Sequence, residues 1–233
     1  MRELVLDTET TGFEPGEGHR IVEIGVVELV NLMPTGRTYH QYINPNRPMP
    51  PEAFAVHGLG DDFLRDQPPF GAIVDAFLTF VGDARLVIHN ASFDMKFLNA
   101  ELGWANRPLL PPEQAFDTLT LARKKFPGAP ASLDALCRRF GIDNSERTKH
   151  GALLDSEILA EVYLELLGGQ QPDFALSNDP YEMGAGGKAA PLPRRPVPLP
   201  PRLTEDERAA HAAFVAGLGD APVWGRYAKA GRG

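Results

Sequence analysis

The chain of 233 residues is 43% hydrophobic and 23% charged, close to the averages of soluble globular proteins. It contains no apolar run near the ~20 residues that cross a bilayer, and its first residues include carboxylates where a secretory signal needs an apolar stretch. The single cysteine, Cys137, cannot form an internal disulfide, so we expect a reducing, cytoplasmic compartment. The net charge of −8 argues against passive coating of nucleic acid, although bound divalent cations can reverse the sign of a carboxylate cluster.

The first 169 residues have the pattern of an α/β domain. Three segments rich in Val, Ile, Leu and Tyr predict an antiparallel meander of strands: residues 3–8, 20–30 and 37–44. Apolar spacing then predicts a helix, a short buried strand and a second helix: residues 70–81, 85–89 and 93–102. Three further helices are predicted, the middle one with Ser132 as its N-cap: residues 116–123, 132–140 and 153–167. Strands first and helices later indicate a mixed sheet.

The composition changes after this domain. Residues 177–202 are rich in Pro, Gly and Ala, cannot form a core, and are predicted to be an extended, mobile linker. Residues 203–218 then predict a helix with Thr204 as its N-cap and acidic residues in its first turn. A lone short helix is marginal in water, so it either docks on a partner or folds back on the α/β domain.

Two carboxylates stand at the end of the first predicted strand. Asp7 and Glu9 are separated by one residue, and side chains at i and i+2 project from the same face of a strand. The pair is therefore aimed at one point. The alternative is a polar strand end that enters the turn at Gly12.

Two later motifs carry further acidic groups. Asp94 follows a strand and begins a helix, where it could equally be an aspartate that stabilises the helix dipole. His150 and Asp155 are five residues apart and would point ~140° away from each other on one continuous helix. They converge only if His150 precedes the helix, which Gly151 permits. A surface histidine beside an aspartate on a solvated helix face is the alternative.

The joint occurrence of these motifs in one domain favours a metal site. Four clustered carboxylates repel one another, whereas two divalent cations ~4 Å apart make the cluster favourable. Hard carboxylate ligands and the near absence of cysteine indicate Mg²⁺ or Mn²⁺ rather than a zinc thiolate site.

The motifs also resemble those of a known family, the DEDD superfamily of 3′–5′ exonucleases in its histidine-bearing branch. The matching residues, in order, are Asp7, Glu9, Asp94, His150 and Asp155. The resemblance is greatest to the epsilon-type proofreading subunits of bacterial replicative polymerases, and it includes LVLDTETTG, PEAFAVHGL, LVIHNASFD and SLDALCRRFGIDNSERTKHGALLD. It covers the domain from residue 4 to 169 and implies an RNase H-like, five-stranded mixed sheet with flanking helices.

The resemblance implies roles for these residues. Asp7, Glu9 and Asp155 would bind two metal ions, and Asp94 would complete the shell of the second. His150 would be the general base in hydrolysis of the last phosphodiester, which releases nucleoside 5′-monophosphates from a single-stranded or frayed DNA 3′ end. Five residues would contact the terminal nucleotide: Thr10, Gly12, Glu52, His57 and Phe93. For His57, a hydrogen bond within its own loop is the alternative.

The resemblance also implies partners for the C-terminal residues. Residues 170–176 look like a sliding-clamp motif anchored by Gln171, Phe174 and Leu176, with an ordinary linker as the alternative. Residues 203–233 resemble the segment that binds the polymerase (alpha) subunit, and its anchors would be Phe214, Leu218 and Trp224. A small theta-like accessory subunit is a further candidate partner.

Two other functions remain open from the sequence. A stand-alone 3′–5′ exoribonuclease or tRNA-trimming enzyme would use the same core motifs but would need no polymerase tether. An interaction subunit with a vestigial nuclease site would need none of the metal and base residues, all of which are present. The sequence therefore favours a metal-dependent proofreading exonuclease.

Overall fold

The computed structural model of the chain describes residues 1–145, 147, 149–169 and 203–218. The chain divides into two units, Met1–Phe174 and Ala175–Gly233. Within the described ranges, every helix is too short or too polar to cross a membrane. The predicted linker at residues 177–202 lies outside the described residues.

Five strands form one mixed sheet in the order β3-β2-β1-β4-β5. The first three are antiparallel neighbours, whereas β4 runs parallel to β1 and β5 runs parallel to β4. Their bounds are Arg2–Thr10 (β1), Ile21–Val30 (β2), Met33–Tyr42 (β3), Arg85–Ile88 (β4) and Ala115–Asp117 (β5). The predicted meander and the mixed sheet are confirmed, with β3 beginning at Met33 rather than at residue 37.

Eight α-helices are present in the described ranges, and the sequence predicts six of them, five in the first unit and one in the second. Their bounds are Pro51–His57 (α1), Asp61–Leu64 (α2), Phe70–Val81 (α3), Ala91–Trp104 (α4), Thr118–Lys125 (α5), Leu133–Phe140 (α6), Ala152–Leu166 (α7) and Glu205–Ala216 (α8). The short α1 and α2 were not predicted. α1 begins with a proline in its first turn and ends at Gly58, whose φ of 76° closes the helix in the left-handed region.

The prediction of one helix over residues 116–123 is wrong at its start. Ala115–Asp117 pairs with β4 as the fifth strand, and α5 begins only at Thr118. The Asp117 side chain accepts a hydrogen bond from the Leu119 backbone N–H at 3.0 Å and caps the helix. A strand of three residues is too short to show alternation, so its apolar residues looked like part of the helix.

The sheet separates two apolar layers. Leu4 and Leu6 of β1 pack in the layer that contains α3 and α4, whereas Val5 packs in the layer that contains α5, α6 and α7. Because strand side chains alternate, Asp7 and Glu9 share the face of Val5, and Thr8 shares the face of Leu4 and Leu6. The end of β1 therefore presents polar groups to both layers.

A glycine allows α7 to approach the sheet closely. Gly25 on β2 is the cross-strand partner of Asp7, and a Cβ there would lie 2.2 Å from backbone atoms of Ala152 and Leu153. The Ser156 hydroxyl donates a hydrogen bond to the Gly25 carbonyl at 2.9 Å. The absence of a side chain at Gly25 thus brings the first turn of α7, which contains Asp155, against the end of β1.

The second unit contains α8. The Thr204 hydroxyl accepts a hydrogen bond from the Glu207 N–H at 3.2 Å, and Glu207 accepts from the Thr204 N–H at 2.8 Å. This capping box confirms the predicted helix start. Phe214 and Leu218 are 63% and 49% exposed.

We predict that Gly25→Ala lowers the free energy of unfolding by about 1–3 kcal/mol or more, because the added methyl group overlaps the backbone of α7. Denaturant unfolding measures the change. Gly71→Ala is the matched control, since Gly71 lies in α3 with open space around its Cβ position. This control should gain about 0.5–1 kcal/mol. Equal stability of Gly25→Ala and the wild type would contradict the assigned contact.

Candidate active site

The residues of all three acidic motifs line one pocket. It lies where the parallel strands β1 and β4 end, has a volume of about 270 Å³, and includes Asp7, Glu9, Asp94, His150 and Asp155. The structure thus brings together every residue that the sequence predicted for metal binding and general base catalysis. Ser132 and Asp134 at the start of α6 form another part of the wall.

Asp94 is oriented by β1 itself. The Thr8 N–H and the Thr8 hydroxyl both donate hydrogen bonds to Asp94 Oδ1, at 3.1 and 2.7 Å. Asn90 connects β4 to α4 in the left-handed region with a φ of 67°, a conformation that asparagine tolerates. This turn places Asp94 in the first turn of α4, beside the strand that carries Asp7 and Glu9.

His150 precedes α7, as the sequence predicted. Its backbone N–H donates a hydrogen bond to the Val56 carbonyl at 3.2 Å, and the helix begins at Ala152 after Gly151. Asp155 is therefore on the first turn of the helix while His150 approaches from the loop. One ligand atom each from Glu9, His150 and Asp155 lie within 4.8 Å of one another. The two carboxylates of this group fit a hard divalent cation, and the imidazole lies beside them.

Burial and mutual repulsion oppose ionisation of the acidic cluster. Burial, together with the charges of Asp94, Glu9 and Asp155, raises the pKa of Asp7 well above its usual value. Burial and the charges of Asp155 and Glu23 raise the pKa of Glu9 to about 8. Burial raises the pKa of Asp94 to about 7 despite the Thr8 hydrogen bonds. The cluster becomes favourable in its ionised form only with added positive charge.

Arg147 supplies one positive charge and was not identified from the sequence. Its Nε and Nη2 donate hydrogen bonds to Asp155 Oδ1 and Oδ2, at 2.5 and 2.7 Å, and its Nη1 donates to Asp134 Oδ1 at 2.7 Å. Burial opposes ionisation of Asp155, but the adjacent Arg147 and His150 outweigh it, so the pKa of Asp155 lies below its usual value. The available signal was a cation three residues before His150.

A second, mainly apolar cavity of about 430 Å³ adjoins the carboxylate pocket. Thr8, Glu9 and Phe93 line both cavities. All five residues predicted to contact the terminal nucleotide line the second one: Thr10, Gly12, Glu52, His57 and Phe93. The acidic cluster therefore lies beside a cavity suited to a flat, apolar ring.

His57 also makes the loop hydrogen bond that was its alternative interpretation. Its Nδ1 accepts from the Leu59 N–H at 3.0 Å, so the proton of the neutral ring is on Nε2. Burial lowers the pKa of His57 and favours this neutral form. The same residue can therefore be fixed by its loop and still offer an N–H donor to the cavity.

The fold and the site define an exonuclease of the RNase H-like class. A family model described as "Exonuclease" matches residues 4–163. The structure of Exonuclease X in complex with 5′-overhanging duplex DNA is 28% identical, with a TM-score of 0.55 over 70% of this chain and 90% of that chain. The nuclease domain of 3′hExo, a DEDDh family member bound to rAMP, is 20% identical, covers 71% of this chain and 91% of that chain, and shares the fold with a TM-score of 0.61.

Two curated relatives indicate to which group of exonucleases the chain belongs. DNA polymerase III subunit epsilon of Rickettsia felis is 54% identical over 185 residues, which are 78% of this chain and 81% of the relative. The subunit of the same name from Escherichia coli (strain K12) is 46% identical over 222 residues, which are 91% of both chains. The chain belongs to the exonuclease family, in the group of DNA polymerase III epsilon subunits. It is a 3′–5′ exonuclease that hydrolyses phosphodiester bonds, and its family uses divalent metal ions.

We predict that the melting temperature of the chelator-treated protein falls as pH rises from about 4.5 to 8. Asp7, Glu9 and Asp94 have raised pKa values when folded, so over this range the folded state binds more protons than the unfolded state. Stability then decreases with pH. Calorimetry in EDTA measures the decrease.

Two comparisons make this prediction specific to the acidic cluster. Glu9→Gln removes one group with a raised pKa and should make the decrease shallower. Added Mg²⁺ or Mn²⁺ should stabilise the wild type more at pH 8 than at pH 5, because the cations bind the ionised carboxylates. A melting temperature that stays constant or rises with pH in EDTA would contradict the prediction.

Proposed function

We propose that the chain is the proofreading exonuclease of a bacterial DNA polymerase III and removes mispaired nucleotides from DNA 3′ ends. The observation that carries this proposal is the acidic pocket with His150, which adjoins a cavity lined by Phe93. The relatives named as polymerase III subunits support the polymerase assignment.

Asp7, Glu9 and Asp155 would hold two divalent cations, Mg²⁺ or Mn²⁺, with Asp94 completing the second site. The raised pKa values of Asp7 and Glu9 support this assignment, because ionised carboxylates this close together need compensating positive charge. When bound, such ions activate water and stabilise the departing 3′ oxygen. The hydrogen bond from Thr8 holds Asp94 next to β1, the strand that carries Asp7 and Glu9.

His150 would act as the general base. It lies on the loop before α7, its side chain is half-exposed, and it can therefore take a proton from the attacking water and release it to solvent. Attack at the terminal phosphorus breaks the bond to the departing 3′ oxygen. The product is a nucleoside 5′-monophosphate and a strand shorter by one nucleotide.

The terminal nucleotide would occupy the second cavity. Phe93 and the apolar wall would contact the base, while Glu52 and the Nε2–H of His57 would contact the sugar. Thr10 and Gly12 would shape the floor of the cavity. Such contacts need no sequence preference, because a strand end must be unpaired to enter and a mismatch lowers the cost of fraying.

The experiment compares a mismatched with a paired DNA 3′ end and includes a single-stranded RNA of the same sequence. We expect faster release of nucleotides from the mismatched DNA end, with little activity on RNA. Equal rates on paired and mismatched ends, or a preference for RNA, would favour the stand-alone exoribonuclease instead. The shared fold of 3′hExo bound to rAMP makes the RNA substrate a necessary control.

His150→Ala is the variant that tests the chemistry in the same assay. Loss of a positioned general base should lower turnover by about 10²–10⁴, while the protein still binds DNA and cations. Wild-type turnover in this variant would refute the role of His150. Unchanged nuclease activity in Asp7→Ala would instead indicate a vestigial site with a separate source of activity.

The C-terminal residues would provide the polymerase tether. Phe214 in α8 and Leu218 just after it are exposed apolar side chains, which supports docking of this segment in a partner groove. Trp224 and the proposed clamp motif of Gln171, Phe174 and Leu176 lie outside the described residues. We propose the polymerase (alpha) subunit, the sliding clamp and a theta-like accessory subunit as partners.

We predict that the full chain retains the polymerase subunit in a pull-down and that Phe214→Ala with Leu218→Ala weakens this retention at least about tenfold, because both anchors are lost from the interface. Ala209→Ser, on the exposed part of α8, is the control and should bind like the wild type. Full retention by the double variant would show that the polymerase subunit binds this chain outside α8. Failure of the wild-type chain to bind would favour the free-standing enzyme.

A further inference from the structure

The carboxylate pocket already contains a cation that belongs to the protein. Arg147 is the only arginine or lysine among the described residues that line this pocket. Its side chain is only 8% exposed, and three of its nitrogen atoms each contact an acidic or imidazole group of the pocket. A buried guanidinium with this many partners is held firmly, and it affects how any other cation binds in the pocket.

Arg147 occupies the oxygen atoms that a metal ion needs. Its Nε and Nη2 form a two-pronged contact with Oδ1 and Oδ2 of Asp155, at 2.5 and 2.7 Å. A divalent cation bound by Asp155 would use at least one of these oxygens and would repel the adjacent guanidinium. The two cations therefore compete for the Asp155 carboxylate at these distances.

Asp134 offers the guanidinium a second anchor. Arg147 Nη1 donates to Asp134 Oδ1 at 2.7 Å, and Asn144 Nδ2 donates to the same oxygen at 3.0 Å. Asp134 is on α6 at the half-exposed wall of the pocket, whereas Asp155 is on α7 in its interior. A long arginine side chain can leave Asp155 and keep Asp134 without a change in the fold.

His150 is involved in the same contact. Arg147 Nη2 lies 2.7 Å from His150 Nδ1, and a guanidinium nitrogen can only donate. Nδ1 also lies 3.2 Å from Asp155 Oδ2, but the contact with Arg147 is shorter and uses the lone pair of Nδ1, which leaves the proton of the neutral ring on Nε2. While this hydrogen bond is present, His150 has no free acceptor nitrogen.

We propose that Arg147 is an internal counterion of the carboxylate pocket, and that a divalent cation competes with it for Asp155 and moves its guanidinium from Asp155 and His150 to Asp134. This inference rests on the proposed role of Asp155 as a metal ligand. It couples two events: the same displacement that opens Asp155 to the cation also frees the acceptor nitrogen of His150. The base thus becomes available only when the cation site is filled.

The test measures Mn²⁺ binding by titration calorimetry on the chelator-treated full chain, without nucleic acid. Removal of the competing charge in Arg147→Met should tighten Mn²⁺ binding at least about fivefold, the lower end of typical coupling between sites. A purely structural role of Arg147 would leave the affinity unchanged or weaken it. Arg139→Met is the matched control, because Arg139 is exposed and contacts the Phe126 ring rather than the pocket, and it should bind like the wild type.

A double-mutant cycle of Arg147 and Asp134 tests whether the displaced guanidinium moves to Asp134. It does not rely on a single variant. Asp134→Asn removes the second anchor and should weaken Mn²⁺ binding more in the wild-type background than in Arg147→Met. Equal weakening in both backgrounds would reflect only the lost negative charge at residue 134 and would overturn the proposed path.

The imidazole ¹⁵N resonances of His150 provide a readout that does not depend on activity. Titration with Mg²⁺ should shift the Nδ1 resonance of the wild type as its hydrogen bond from Arg147 is lost, and this shift should be smaller in Arg147→Met. If the wild type binds Mn²⁺ and degrades DNA but Arg147→Met has unchanged affinity, the inference fails and the proposed function stands. If the wild type binds no Mn²⁺, both fail.

Discussion

Electrostatic repulsion among buried carboxylates is the constraint on which this molecule depends. Asp7, Glu9, Asp94 and Asp155 line one pocket, and burial together with neighbouring charge raises the pKa of the first three. A fold that had no use for cations would gain stability by replacing these groups with apolar ones. Their presence is explained by a reaction that needs concentrated negative charge to hold positive charge next to a phosphodiester.

The acidic groups of the pocket come from the sheet itself and from helices on both of its faces. Asp94 reaches the pocket from α4 on one face, where Thr8 binds it, and Asp155 reaches it from α7 on the other face, where Gly25 permits close packing. Asp7 and Glu9 lie between them at the end of β1. The site is therefore complete only when the two apolar layers have both formed, and displacement of either helix separates the acidic groups.

Hydrogen-bond donors and a positive charge of the protein itself also offset the repulsion among the carboxylates. Thr8 donates two hydrogen bonds to Asp94, and Arg147 neutralises Asp155 through a two-pronged ion pair. These contacts orient the acidic side chains before any ligand arrives. Under the proposed competition at Asp155, they also link the arrangement of the site to its occupancy.

The sequence by itself determined the mixed sheet, the capped helix starts at Ser132 and Thr204, and the acidic residues with His150, because strand alternation, capping side chains and carboxylate motifs are local signals. The predicted sheet had five strands, but the sequence did not locate β5, whose three residues are too few for a period, or the short helix α1. Only the tertiary structure decided the contacts of Arg147 with Asp134 and Asp155 and the need for glycine at position 25. These features join residues from separate elements, and their energies depend on distances that no local pattern contains.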